Sequence, residues 1–230
     1  MHQDRTGSDR QIRRRRAAAP VLAAALTAAI AVVAVAPLPS TPTPAAVAST
    51  TAEINRQSPA VVLEASQAMW RYRRYVRRGT STSLQRYNRA RNQAARATAV
   101  ALGLNRWAMV ASWAAADRRH QVAVLSALVQ LGAPYRSYSA HPSIGFDCSG
   151  LTSWAWRRAG VSIPRSSGDQ IAAAVPRRRA TALPGDLVYY PGHVSLYLGV
   201  AGAIVHASDP EDDVELAFIN RRVSWGDPTR

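Results

Sequence analysis

The chain has 230 residues, room for one or two domains, and a formal charge of +15. Its single cysteine, Cys148, excludes an internal disulfide framework and a cysteine-based zinc site. All 29 basic residues are arginine, which with the heavy alanine content reflects genome composition before function.

Six of those arginines fall within residues 5–16, and the stretch from Ala17 to Pro37 carries no charge. A basic leader, an apolar run and a small-residue site such as Ala34-Val35-Ala36 are the parts of a secretory signal, and the run is also long enough to span a bilayer. Residues 1–36 are expected to be a signal peptide or, if uncleaved, a membrane anchor. The remainder is then secreted or held at the cell wall. Its positive charge would otherwise suggest nucleic acid. In an exported chain that charge points to anionic wall polymers or a membrane surface, and no nucleic acid is expected.

Residues 37–53 are rich in proline, threonine and alanine and are expected to be an extended linker. Residues 54–117 place Val61, Val62, Ala65, Ala68 and Met69 at helical spacing, then Ala97, Val100, Ala101 and Leu104. With a turn at Gly79, this predicts a small helical region of two or three helices. The run Arg71–Arg78 interleaves arginine with tyrosine. A solvated basic face is the plain reading, and contact with wall polymers, membrane or a partner helix is the functional one. Trp107 and Trp113 read as core or docking residues.

From Arg118 the texture changes. "HQVAVLSALVQLG" is an amphipathic helix ending near Gly132. A second helix begins about Cys148, with Leu151, Trp154 and Ala155 on one side, and closes on Gly160. β-like runs then start at Gly185, His193 and Ala203, and "VELAFINRRV" offers a fourth. Helices followed by a meander predict an α+β domain with an antiparallel sheet over residues 118–230.

A thiol becomes a useful nucleophile near a helix N-terminus and a histidine. Cys148 has the helix start from sequence alone, with Asp147 as cap or turn residue and Gly150 relieving crowding. Of the five histidines, His2 lies in the export segment, His120 reads as surface or packing, and His141 sits in a loop. His193 and His206 fall on adjacent strand-like runs, where one imidazole can act as base and the other orient it.

The ordered blocks "GAPYRSY", "FDCSGL", "IPRSSGDQ", "LPGDLVYY", "HVSLYLG" and "AIVHAS" resemble the NlpC-type cell-wall cysteine peptidases, a permuted branch of the papain-like fold. The resemblance runs from about Val122 to Val223. It implies Cys148 as nucleophile, His193 as general base and His206 as the residue orienting it, with a thiolate–imidazolium pair. It implies Tyr135 beside the nucleophile at the oxyanion or substrate, Asp147 and Ser149 as substrate contacts flanking the cysteine, and Arg165 and Ser166 along the cleft. The implied substrates are peptidoglycan stem peptides, cut at the D-γ-glutamyl–diamino acid bond in wall remodelling or daughter-cell separation. No cofactor and no metal is implied. The chain departs from the family in "RSYSAHPSIG", where an aromatic residue and two glycines are usual, which bears on specificity. Two other readings remain: a non-catalytic wall or septal binding protein, and an amidase or acyltransferase using the same thiol.

Overall fold

The computed structural model of the chain describes residues 44–208 and 213–229, and of residues 44–58 the backbone alone. The expected signal or anchor (1–36) and residues 37–43 of the expected linker lie outside the described residues. Among the described residues no helix is long and apolar enough to cross a membrane.

Helix α1 runs from Pro44 to Arg78. The segment expected to be an extended linker is thus helical from Pro44, a residue whose fixed φ suits a first turn and whose missing N–H costs nothing there. No glycine or proline interrupts the chain again until Pro59. The helix stops at Gly79, which takes a φ of 66°. Thr80 then caps α2 (Ser81–Ala101), its side chain accepting the Ser83 N–H.

On α1 the expected residues Val61, Ala65, Ala68 and Met69 are buried. On α2 the buried side is Tyr87, Ala90, Ala94, Ala95, Thr98, Ala99 and Ala101, whereas Val100, expected inside, is exposed. Alanines all round α2 blur its periodicity. α3 (Arg106–Ala115) and α4 (Arg118–Leu128) follow, capped by Asn105 and Asp117.

The second half contributes a two-residue ladder, β1 (Ala140–His141) with β2 (Gly145–Phe146), then α5 (Cys148–Arg158) and α6 (Ser167–Ala173). Six strands complete it: β3 (Val175–Arg177), β4 (Leu187–Tyr190), β5 (His193–Tyr197), β6 (Ala203–Ala207), β7 (Val214–Phe218) and β8 (Ser224–Asp227). Their order is β3-β8-β4-β5-β6-β7, with every neighbouring pair antiparallel. The four strands read from sequence are present. β3 and β8 went unread because Pro176 and Gly226 interrupt any alternating pattern. Gly226 is small so that Ala174 and Ile171 can press against the strand.

Leu187, Val194, Leu196, Val205 and Leu216 face Leu151, Ala155 and Trp156 of α5 in one apolar core. That core continues through Leu125 and Leu128 to Met109, Trp113, Val61 and Ala65, so α1–α4 and the sheet share it. Trp113 also donates its indole N–H to the Leu198 carbonyl at 2.9 Å, and Ser112 donates to that of Gly199 at 3.1 Å. Both bonds lie at the β5–β6 turn, the end of β5 away from His193. The reverse face of the sheet carries a small cluster of Val188, Tyr197 and Ile204.

His120, read as surface or packing, is buried at 1% exposure. Its Nδ1 meets Asp117 at 3.0 Å, and its Nε2 lies 3.1 Å from Asp186 and 3.4 Å from Asp227. The ring stands edge-on to Trp156. Asp227 is in turn paired with Arg177. This buried network ties α4 to the loop before β4 and to β8.

Candidate active site

Asp147 accepts the Gly150 N–H at 2.6 Å, closing the N-terminus of α5 and fixing Cys148 as its first residue. Gly150 is required because a Cβ there would overlap the Ser139 carbonyl oxygen. The chain before Cys148 is thus pressed onto the helix tip.

Successive N–H groups of an antiparallel strand point to alternate neighbours. Tyr197 donates to Asp186 on the β4 side, so the N–H groups of Leu196 and Val194 point to the β6 side. The β5–β6 register holds only at Leu196–Val205 and Tyr197–Ile204. Beyond it the strands part, and the freed Val194 N–H donates to the Cys148 sulfur. The thiol occupies the gap between two strands, one residue along the backbone from His193.

His193 and His206 come together as expected. His193 Nε2 lies 2.9 Å from His206 Nδ1, with the rings perpendicular. Glu215, directly opposite His206 in the β6–β7 register, places its carboxylate 3.4 Å from His206 Nε2, an ion-pair distance without good hydrogen-bond geometry. The sequence reading missed Glu215, although its place between Val214 and Leu216 in an alternating strand marks it as facing the same side as His206. Tyr190 stacks on His193 from the hairpin, and the Arg221 guanidinium lies over the Tyr190 ring, 4.3 Å from its centre.

The electrostatics follow from burial. Burial pushes the Cys148 thiol up, and the Asp147 charge adds to this, while the Val194 and Ser149 hydrogen bonds oppose it. Burial, then His206, then Arg221 lower His193 to about 4. Both shifts favour the neutral thiol and the neutral imidazole and so run against the expected thiolate–imidazolium pair. Burial pushes the Glu215 carboxyl up, but its interactions with His206 and Ser208 outweigh this and the net shift is downward. Glu215 is accordingly an anion beside His206.

Asp147, Ser149 and Arg165 form one cluster. The Arg165 guanidinium meets Asp147 at 2.6 and 2.9 Å and Ser149 at 2.8 Å, and the Asp147 hydrogen bonds raise its pKa further. Ser166 instead caps α6, accepting from the Asp169 N–H and donating to its carboxylate at 2.6 Å. Tyr135 bridges in parallel to Phe146, two residues before the cysteine, and its phenol acts electrostatically on Arg165. His141 is exposed and bonded to Ser143.

The site thus brings together a thiol at a helix tip, a split antiparallel sheet and a pair of hydrogen-bonded imidazoles. Residues 132–225 match the NlpC/P60 family. A protein named "probable endopeptidase" from Corynebacterium glutamicum (strain R) is 40% identical over 113 residues, 48% of this chain and 53% of that one. The bifunctional muramidase/DL-endopeptidase CwlT of Bacillus subtilis is 34% identical over 88 residues, 35% of this chain and 27% of its own. The crystal structure of the P60 domain of antigen MAP1204 from M. avium subspecies paratuberculosis is 29% identical, covering 48% of this chain and 94% of that one, with a TM-score of 0.42. The chain spans about half the length, or less, of these curated relatives.

Proposed function

We propose that this chain is a cell-wall endopeptidase that hydrolyses peptidoglycan stem peptides at the D-γ-glutamyl–diamino acid bond. The observation that carries this is the meeting of Cys148 with the split between β5 and β6, where His193 opens β5 and bonds His206.

The hydrogen-bond chain sets each proton. The Glu215 anion favours the proton on His206 Nε2, leaving Nδ1 bare to accept His193 Nε2–H. His193 then keeps its Nδ1 lone pair for the thiol. As the sulfur attacks the amide carbonyl, its proton passes to His193 Nδ1 and the carbon–sulfur bond forms. The Cys148 backbone N–H, with Tyr135, faces the developing oxyanion. His193 returns the proton to the leaving amine as the carbon–nitrogen bond breaks. Water, deprotonated by the same nitrogen, releases the acyl group. Asp147, Ser149 and Arg165 hold the bound stem peptide, and Ser166 keeps α6 at the edge of the cleft. Neither metal nor cofactor enters these steps.

The bonds from Trp113 and Ser112 hold the helices at the far end of β5, which supports a positioning role for them over a covering one. Export to the wall is part of the same reading.

The test is digestion of purified peptidoglycan with mass analysis of the fragments. New free diamino-acid ends are expected, and Cys148→Ala should abolish them while leaving the circular dichroism spectrum unchanged. Free lactyl-muramic ends would identify an amidase. No fragments from the unaltered chain would identify a binding domain, and wall hydrolysis retained by Cys148→Ala would reject the thiol mechanism.

A further inference from the structure

Arg71, Arg74 and Arg78 recur at three- and four-residue spacing on one side of α1, and Arg86 reaches the same place from α2. With Thr80, Thr82 and Ser83 they line a cavity of about 150 Å³. Four cations therefore face a space of phosphate size, edged by three hydroxyl groups. Among the described residues none of the four forms an ion pair with a carboxylate. Their mutual repulsion is uncompensated: Arg78 foremost, then burial, Arg71, Arg77 and Arg86 all act to lower the Arg74 pKa.

Two of the guanidinium groups are also held in place. Arg71 and Arg74 lie over the Trp70 ring at 4.5 and 4.8 Å, although Trp70 is 44% exposed. Stacked guanidinium planes lose less freedom on binding and present their N–H forks in fixed directions. A merely solvated basic face would let long side chains spread away from one another. Here they converge.

We propose that this cradle binds a phosphate group, monoester or diester, borne by a soluble polyanion or by a lipid headgroup. Arginine forks match phosphate oxygens in pairs, and the Thr82 hydroxyl can donate to an oxygen left over. The site is on the helices, separate from Cys148, and does not depend on the proposed peptidase activity.

The experiment uses the full chain and two double variants of equal charge. One is Arg74→Gln with Arg78→Gln. The other is Arg157→Gln with Arg158→Gln, exposed at the end of α5. Binding of a short polyphosphate chain is measured by calorimetry over a salt series. The cradle variant should bind at least about tenfold more weakly and with a shallower salt slope, because each lost phosphate contact lowers that slope by about one. The α5 variant should match the unaltered chain. Sedimentation with phosphatidylglycerol vesicles, against phosphatidylcholine, forms the second arm. Vesicle binding lost only in the cradle variant supports the lipid source, and polyphosphate binding alone supports the soluble one. Equal losses in both variants, or no binding in either arm, overturn the proposal. Peptidoglycan hydrolysis by the cradle variant should stay within about twofold of the unaltered chain, so failure here and failure of the peptidase reading are told apart.

Discussion

At the scale of single residues, burial at the candidate site disfavours charge on both Cys148 and His193. His193 takes up a proton only near pH 4, so it remains a base through the mildly acid range. The kcat/KM profile should hold down to roughly that pH and fall below it, and a midpoint near 6.5 would contradict this account. Linkage has the same sign. The unfolded chain protonates this histidine near 6.5 and the folded chain only near 4, so its effect on folding is a loss of stability as pH falls between those values. Glu215 acts one bond further out. Glu215→Gln removes the charge that fixes the His206 proton, and losing one charged contact at a long distance is expected to lower kcat by about tenfold with little change in KM. An equal rise in KM would mean that Glu215 serves binding instead.

At the scale of elements, helix tips and strand ends were legible to different degrees. Cys148 as the first residue of α5 could be read from Asp147 and the apolar spacing behind it, and the structure agrees. The histidine strands were legible through alternation in "HVSLYLG" and "AIVHAS". The parting of β5 from β6 was not, because the register of two strands depends on which backbone groups finally pair, and residue types do not encode that. His120 was read as surface or packing, and what decides for packing was hidden for a similar reason. A histidine at the start of an amphipathic helix can be solvated or packed until Asp186, from the loop before β4, and Asp227, from β8, arrive more than sixty residues further on. Burial lowers its pKa, but the Asp186 hydrogen bond and the Asp117, Asp186 and Asp227 charges raise it overall. Its stabilising contribution is complete below the unfolded value and fades as pH rises through the folded one. His120→Ala leaves Asp186 buried without its imidazole, and a loss of about 3–5 kcal/mol is expected in urea denaturation. A change below about 1 kcal/mol would show that the network is not holding α4 to the sheet.

At the scale of the whole molecule, the boundary drawn at Arg118 from composition does not interrupt the packing. One apolar core runs from Val61 to Leu216, and Trp113 joins the two sides through its indole. Residues 59–229 should therefore melt in a single calorimetric transition. Trp113→Ala should lower that transition as a unit, at a cost of about 3–5 kcal/mol. Two separate transitions, with only the first moved, would mean that the helices fold independently. Composition could not reveal this union, because alanine-rich helices offer weak apolar contrast and the seam is closed by residues far apart in sequence, such as Trp113 with Leu198 and Tyr87 with Gln121.

The sulfur wedged between β5 and β6 is also the chain's one oxidisable thiol. A sulfenic acid formed there has no second cysteine within the protein to trap it as a disulfide, and continued exposure drives it on to the sulfinic and sulfonic acids. Brief peroxide treatment should be reversed by an added small thiol and prolonged treatment should not, so the working life of each molecule outside a reducing compartment is set by its peroxide exposure.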